Sequence, residues 1–151
     1  MRVSDVMSTS VKAVGAALPA DEAWRWMRAE RIHHLVVLDG KAIAGVISDR
    51  DAGGPKGAAV RAGHDVGELM TKHVVTVTTD TTVKKVANLM RGRSIGCVVV
   101  TDKGRVTGIV TTSDLLELLG RGAIRPVPVS KRASLNYRAP HRKRHKAYGV
   151  W

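Results

Sequence analysis

Gly45-Val46-Ile47-Ser48-Asp49-Arg50-Asp51 and Gly108-Ile109-Val110-Thr111-Thr112-Ser113-Asp114 follow one pattern, 63 positions apart. Each runs glycine, two β-branched apolar residues, a hydroxyl residue, two variable positions and aspartate. Extended outward on the same offset, Val3–Asp51 aligns with Val66–Asp114 without a gap. Twelve of these 49 pairs are identical, including Met7/Met70, Met27/Met90, Ile32/Ile95 and Asp39/Asp102, where chance would give roughly three. Pairs such as Ser8/Thr71 and Val46/Ile109 are conservative. The chain is a tandem of two like units, and that duplication governs every other reading.

Both units predict the same elements. Val3–Met7 and Val66–Met70 are short helical leads, and Val11–Val14 and Val74–Val77 alternate as strands. Ala20–Glu30 and Thr82–Arg91 carry apolar residues at helical spacing. Leu35–Leu38 and Ile43–Ile47 flank Asp39-Gly40-Lys41, while Val98–Thr101 and Val106–Val110 flank Asp102-Lys103-Gly104; both connections have hairpin turn chemistry. The second hairpin runs into a helix, Thr112–Leu119, whereas Gly53-Gly54-Pro55 shortens or breaks the corresponding first helix. The order is β-α-β-β-α, twice, in an α/β fold. Units of about 50 residues bury too little surface to stand comfortably alone, so the two are expected to share a core. The boundaries read 1–62, 63–122 and a basic tail, 123–151.

Composition sets the outer limits. The 151 residues are 44% hydrophobic and 25% charged, which is globular composition. No apolar run reaches the ~18 residues of a membrane span, and Met1-Arg2-Val3-Ser4-Asp5 lacks the apolar region of a signal peptide. A cytoplasmic location is expected. The lone Cys97 lacks zinc-site spacing and reads as a small buried hydrophobe. Trp24 and Trp26, two residues apart on one helix, cannot both face inward, which predicts one exposed or in a dimer interface. No Ser-His-Asp or Cys-His arrangement, phosphate-binding Walker loop or metal-binding helix is present in the sequence, so it offers no basis for catalysis.

Ser48/Asp51 and Thr111/Asp114 stand where a strand becomes a helix. As structure alone, a hydroxyl residue with an acid three positions on is a helix cap, worth about 1 kcal/mol. Two details count against a cap alone: the acid is Asp in both copies, where Glu or Gln reaches back better, and glycine precedes each hydroxyl by three residues. The same geometry suits a nucleotide. A helix N-terminus and a hydroxyl favour phosphate, and an ionised Asp one turn in can accept from two ribose hydroxyls.

The duplicated β-α-β-β-α order, the Val-Met and Leu-Met leads, the Leu-Val-Val-Leu-Asp-Gly and Val-Val-Val-Thr-Asp-Lys-Gly hairpins and the paired Gly-x-x-Ser/Thr-x-x-Asp ends together resemble the CBS (cystathionine β-synthase) domain family over residues 1–120. Two such domains in tandem form a Bateman module. The resemblance implies two CBS domains packed about a pseudo-two-fold axis. It also implies adenosine derivatives (AMP, ADP, ATP or S-adenosylmethionine) bound between the domains, a homodimer, and regulation of a partner without catalysis or cofactor. Carried onto this chain, Thr111 and Asp114 would face Thr9, Val11, Ile32, His33 and His34, while Ser48 and Asp51 would face Lys72, Val74 and Ile95. His33 and His34 stand where relatives carry a basic pair near phosphate, against Gly96 and Cys97 in the second unit. That favours the Thr111/Asp114 site, as does the Gly-Gly-Pro break after Asp51. As structure alone, either histidine is a partly buried strand-edge residue.

Residues 121–151 hold nine Lys/Arg and no acid, so most of the formal net charge of +12 sits there. A solvated tail is the ordinary reading of such a run. The sharper reading is an arm for nucleic acid, an anionic membrane face or an acidic partner, with Tyr137, Tyr148 and Trp151 to stack on bases. A nucleic-acid-binding protein on a CBS scaffold, or a ligand-free interaction scaffold, are therefore the alternatives to an adenosine sensor.

Overall fold

The computed structural model describes residues 1–122; the tail readings, including Tyr137, Tyr148 and Trp151, lie outside the described residues. In the first repeat, a single 3-10 turn (Val3–Asp5) precedes β1 (Ala13–Gly15), α1 (Ala20–Glu30), β2 (His34–Asp39) and β3 (Ala42–Ser48). The connection contains α2 (Ala58–Arg61) and α3 (Val66–Leu69). The second repeat follows with β4 (Thr76–Thr78), α4 (Val83–Arg93), β5 (Cys97–Asp102), β6 (Arg105–Thr111) and α5 (Thr112–Gly120).

Each repeat builds a three-stranded sheet, with its short first strand parallel to the second and the second antiparallel to the third. Successive strand residues face opposite sides, and both sides are covered. Leu35, Val37 and Ile47 pack against Ala23 and Met27 of α1, whereas Val36 and Val46 turn the other way to meet Val99 and Ile109 of the second sheet. The shared core expected from the size of the units is this four-residue seam. The two long helices end on a left-handed residue, Arg31 after α1 and Ser94 after α4, at φ 55° and 53°.

Backbone bonds across the seam are reciprocal. Ser8 and Ile109 exchange N–H···O bonds of 2.9 and 3.0 Å, and Thr71 and Val46, each 63 positions away from one of that pair, exchange bonds of 2.8 and 3.0 Å. Val3 N–H donates to Thr81 and Val66 N–H to Leu18, both at 2.8 Å. If residue i meets j while their counterparts meet in the opposite sense, the relation is an internal two-fold.

The leads are exchanged. Val3, fully buried, belongs to the second repeat's core with Val86, Val98 and Val110, whereas Val66 completes the first repeat's core with Met27, Leu35 and Ile47. Packing therefore crosses the 62/63 boundary read from the sequence.

Two expectations are adjusted and a third, the shortened or broken helix after Ser48, is narrowed to one of its alternatives. The first strand of each repeat begins two residues later than predicted, because Val11 and Val74 lie in the segment that turns toward the other repeat before parallel pairing starts at Ala13↔Val36 and Thr76↔Val99. After Ser48 the helix is broken, not merely shortened: one turn closes with Ala52 N–H on Ser48 C=O at 3.1 Å, and then Gly53 and Gly54 take φ of 89° and 68°. Finally, neither Trp24 nor Trp26 is exposed; both are half-buried against the first repeat's core, and the Arg61 guanidinium lies 4.3 Å from the Trp24 ring.

Candidate functional site

The ends of β3 and β6 place both hydroxyl–carboxylate pairs at the seam. At β6, Thr111 N–H and Oγ1–H donate to Asp114 Oδ2 at 2.8 and 3.1 Å, and Asp114 N–H donates to Thr111 Oγ1 at 3.3 Å. At β3, Ser48 N–H donates to Asp51 Oδ2 at 3.0 Å and Asp51 N–H to Ser48 Oγ at 2.9 Å. The Thr111/Asp114 pair is the capping box of α5, and Ser48/Asp51 makes the same reciprocal bonds on a single turn, so aspartate does in both copies what Glu or Gln was expected to do better. The glycines also have a structural cause. A Cβ on Gly45 would lie 2.6 Å from Thr71 O, and one on Gly108 would lie 3.0 Å from Ser8 O, so each glycine admits the other repeat's backbone.

Capping leaves capacity for a ligand. Every bond these carboxylates accept falls on Oδ2, and Oδ1 of neither takes a hydrogen bond among the described residues. Beside the two pairs runs one continuous cleft of about 700 Å³, touched by Ser48, Asp51, Thr111 and Asp114 together. Its size falls in the ~300–1,000 Å³ range of small-molecule sites. A more open depression of about 600 Å³ along the outer face of α4, near Lys85, Asn88 and Arg93, is remote from these residues.

Of the residues read from the sequence, Val11, Ile32, His33, His34, Val74 and Ile95 line this cleft with the two pairs. Thr9 and Lys72 do not; both are exposed, and their neighbours Ser8, Ser10, Thr71 and His73 line it instead. The hydroxyl pair Ser8/Thr71 was the available signal. Thr71 Oγ1 lies 3.4 Å from Asp51 Oδ2, so one repeat's carboxylate meets the other repeat's leading segment.

The two histidines part company. His33 Nδ1 pairs with Asp49 of its own repeat at 2.9 Å and is largely exposed. His34 turns inward toward Gly96, and its buried Nδ1 has no hydrogen-bond partner. Burial pushes the His34 pKa below 6.5, outweighing the upward pull of Asp49 and Asp51; the charge on His33 adds to the lowering. Cys97, the counterpart of His34, has its thiol pushed up to about 12 by burial and by Asp51, which leaves it unreactive. Among the described residues, no group of three or more His, Cys, Asp or Glu could hold a metal ion, and no helix is long and apolar enough to cross a membrane.

A duplicated α/β frame with a ligand-sized cleft along its internal two-fold defines a tandem-domain binding module. The CBS domain model matches residues 3–52 and 66–121, and the chain belongs to the CBS-domain family. A CBS domain-containing protein of Dictyostelium discoideum is 34% identical over 139 residues, covering 83% of this chain and 95% of its own length. A homoserine O-acetyltransferase of Methanohalobium evestigatum is 33% identical over 119 residues, or 78% of this chain, which spans only 24% of that enzyme. Among solved structures, a CBS domain pair in complex with 5′-methylthioadenosine and S-adenosyl-L-methionine superposes with a TM-score of 0.73 at 29% identity, covering 81% of this chain and 98% of the other. A CBS-domain protein of Agrobacterium tumefaciens gives 0.71 at 28% identity, covering 79% and 99%.

Proposed function

We propose that this chain is a regulatory module that binds an adenosine derivative, such as AMP, ATP or S-adenosylmethionine, in the cleft between its repeats and signals by changing how they pack. The observation that carries this reading is the position of the two hydroxyl–carboxylate pairs on one cleft of about 700 Å³, each with a carboxylate oxygen left over from capping. Asp51 and Asp114 would hold ribose hydroxyls through Oδ1. Ser48 and Thr111 would meet the phosphate or its equivalent, and Val11, Ile32, Val74 and Ile95 would flank the purine. The solved relative that holds two adenosine compounds supports this ligand class. Because the cleft walls belong to both repeats, ligand free energy is spent on their relative placement, which is the physical basis for regulation. None of the four leucines of α5, Leu115, Leu116, Leu118 and Leu119, is fully buried, and this favours a homodimer, with the regulated partner beyond it.

Asp114→Asn tests the assignment, because asparagine retains an acceptor for the cap while losing the charge. Calorimetry with AMP, ATP and S-adenosylmethionine should show a roughly 10–100-fold loss of affinity for the ligand that binds, from ~1.5–3 kcal/mol of charge-assisted hydrogen bonding. Equal binding by the two proteins would remove Asp114 from the site.

A further inference from the structure

We propose, building on the adenosine reading above, that the two halves of the cleft differ in ligand class: the Thr111/Asp114 half takes a phosphorylated nucleotide and the Ser48/Asp51 half an uncharged nucleoside. The reciprocal seam shows which segment walls which half. Ser8 pairs with Ile109, two residues before Thr111, so residues 8–12 flank the Thr111/Asp114 half. Thr71 pairs with Val46, two residues before Ser48, and its hydroxyl reaches Asp51, so residues 71–75 flank the other.

At equivalent positions these walls carry different charges. Lys12, half-buried on the cleft, corresponds to Val75. Asp49, in the turn beside Ser48, corresponds to the neutral Thr112. The Ser48/Asp51 half therefore presents two carboxylates within four residues. Arg50 between them is exposed and offsets only one, and the His33 imidazole is already bound to Asp49. His73, on that half's wall, is exposed where the other half has Ser10. Arg31, exposed like Arg50, also lies on the cleft, where the second repeat has Ser94. A phosphate is repelled by paired carboxylates and held by an ammonium, and both effects strengthen in a partly enclosed, low-dielectric site.

Isothermal titration of the full chain with AMP and with adenosine separates the possibilities. The expected stoichiometry is two adenosines but one AMP per chain. Lys12→Val should lower AMP affinity relative to adenosine by roughly ten- to a hundredfold. Asp49→Thr combined with Val75→Lys, which gives the Ser48/Asp51 half the residues of the Thr111/Asp114 half at these positions, should raise AMP stoichiometry from one to two. Two AMP molecules on the wild type, an unchanged AMP-to-adenosine ratio in Lys12→Val, or an unchanged stoichiometry in the double variant overturns the partition and leaves the adenosine reading standing. Failure of both ligands to bind the wild type overturns that reading, and the partition with it.

Discussion

At the scale of single residues, His34 turns a packing position into a pH dependence. Its Nδ1 is buried without a partner, and a Cβ on Gly96 would lie 3.1 Å from its Nε2. With Nδ1 shut away from water a charged imidazole is under-hydrated, so burial lowers its pKa in the folded chain. In the unfolded chain the same ring takes its proton near pH 6.5. Below that pH the unfolded state binds more protons, so stability falls as the solution is acidified through 6.5 and levels off once the folded ring also titrates. The melting temperature should drop between pH 7.5 and 5.5, and His34→Gln should show a shallower drop. Parallel profiles would mean that other groups carry the acid sensitivity. The two adjacent histidines were legible in the sequence as a pair; their division into one tied to Asp49 and one turned toward Gly96 was not, because it depends on which strand face each repeat covers.

At the scale of elements, the first repeat differs from the second by the helix it lacks. Gly53-Gly54-Pro55 announces the break in the sequence, since two glycines with positive φ followed by a proline end any helix. What replaces the helix was not legible. Arg61 of α2, 5% exposed, donates from Nη1 to the carbonyls of Ala52 at 2.8 Å and Gly54 at 2.7 Å, while its guanidinium covers Trp24 and its Nε lies 3.5 Å from Asp21. Its hydrogen-bond acceptors are main-chain oxygens, which leave no pattern in a sequence, and this cover also explains why Trp24 is not exposed. Arg61→Met should cost ~2–4 kcal/mol, because the Ala52 carbonyl is left without a donor, the Gly54 carbonyl keeps only Gly57 N–H, and a cation is lost from the ring. Arg25→Met, which breaks only the exposed pair with Asp21, should cost at most about 0.5 kcal/mol. Urea denaturation of the two variants checks the contrast; comparable losses would deny Arg61 its anchoring role.

At the scale of the whole molecule, duplication was plain in the sequence and the exchange of leads was not. Two repeats this alike offer Val3 and Val66 equivalent apolar pockets, so no hydrophobic pattern distinguishes packing on one's own unit from packing on the other. The glycines of the repeated motif record the exchange instead. At Gly45 an added Cβ would meet a main-chain atom, Thr71 O, at 2.6 Å; at Gly108 its nearest neighbour is the flexible Met7 Sδ at 2.6 Å, with Ser8 O at 3.0 Å; at Gly15 nothing lies within 4 Å. A thioether can swing aside, whereas a carbonyl held in a two-bond bridge cannot, which sets an order of damage. Gly45→Ala should destabilise most, by ~1–3 kcal/mol, Gly108→Ala less, and Gly15→Ala about zero or in the favourable sense because alanine costs less backbone entropy in a strand. Equilibrium urea unfolding of the three variants measures the order directly. Because Thr71 also reaches Asp51, strain at Gly45 should weaken ligand binding in the Ser48/Asp51 half as well. A Gly45→Ala protein as stable as Gly15→Ala would mean that the repeats are not held at this close approach.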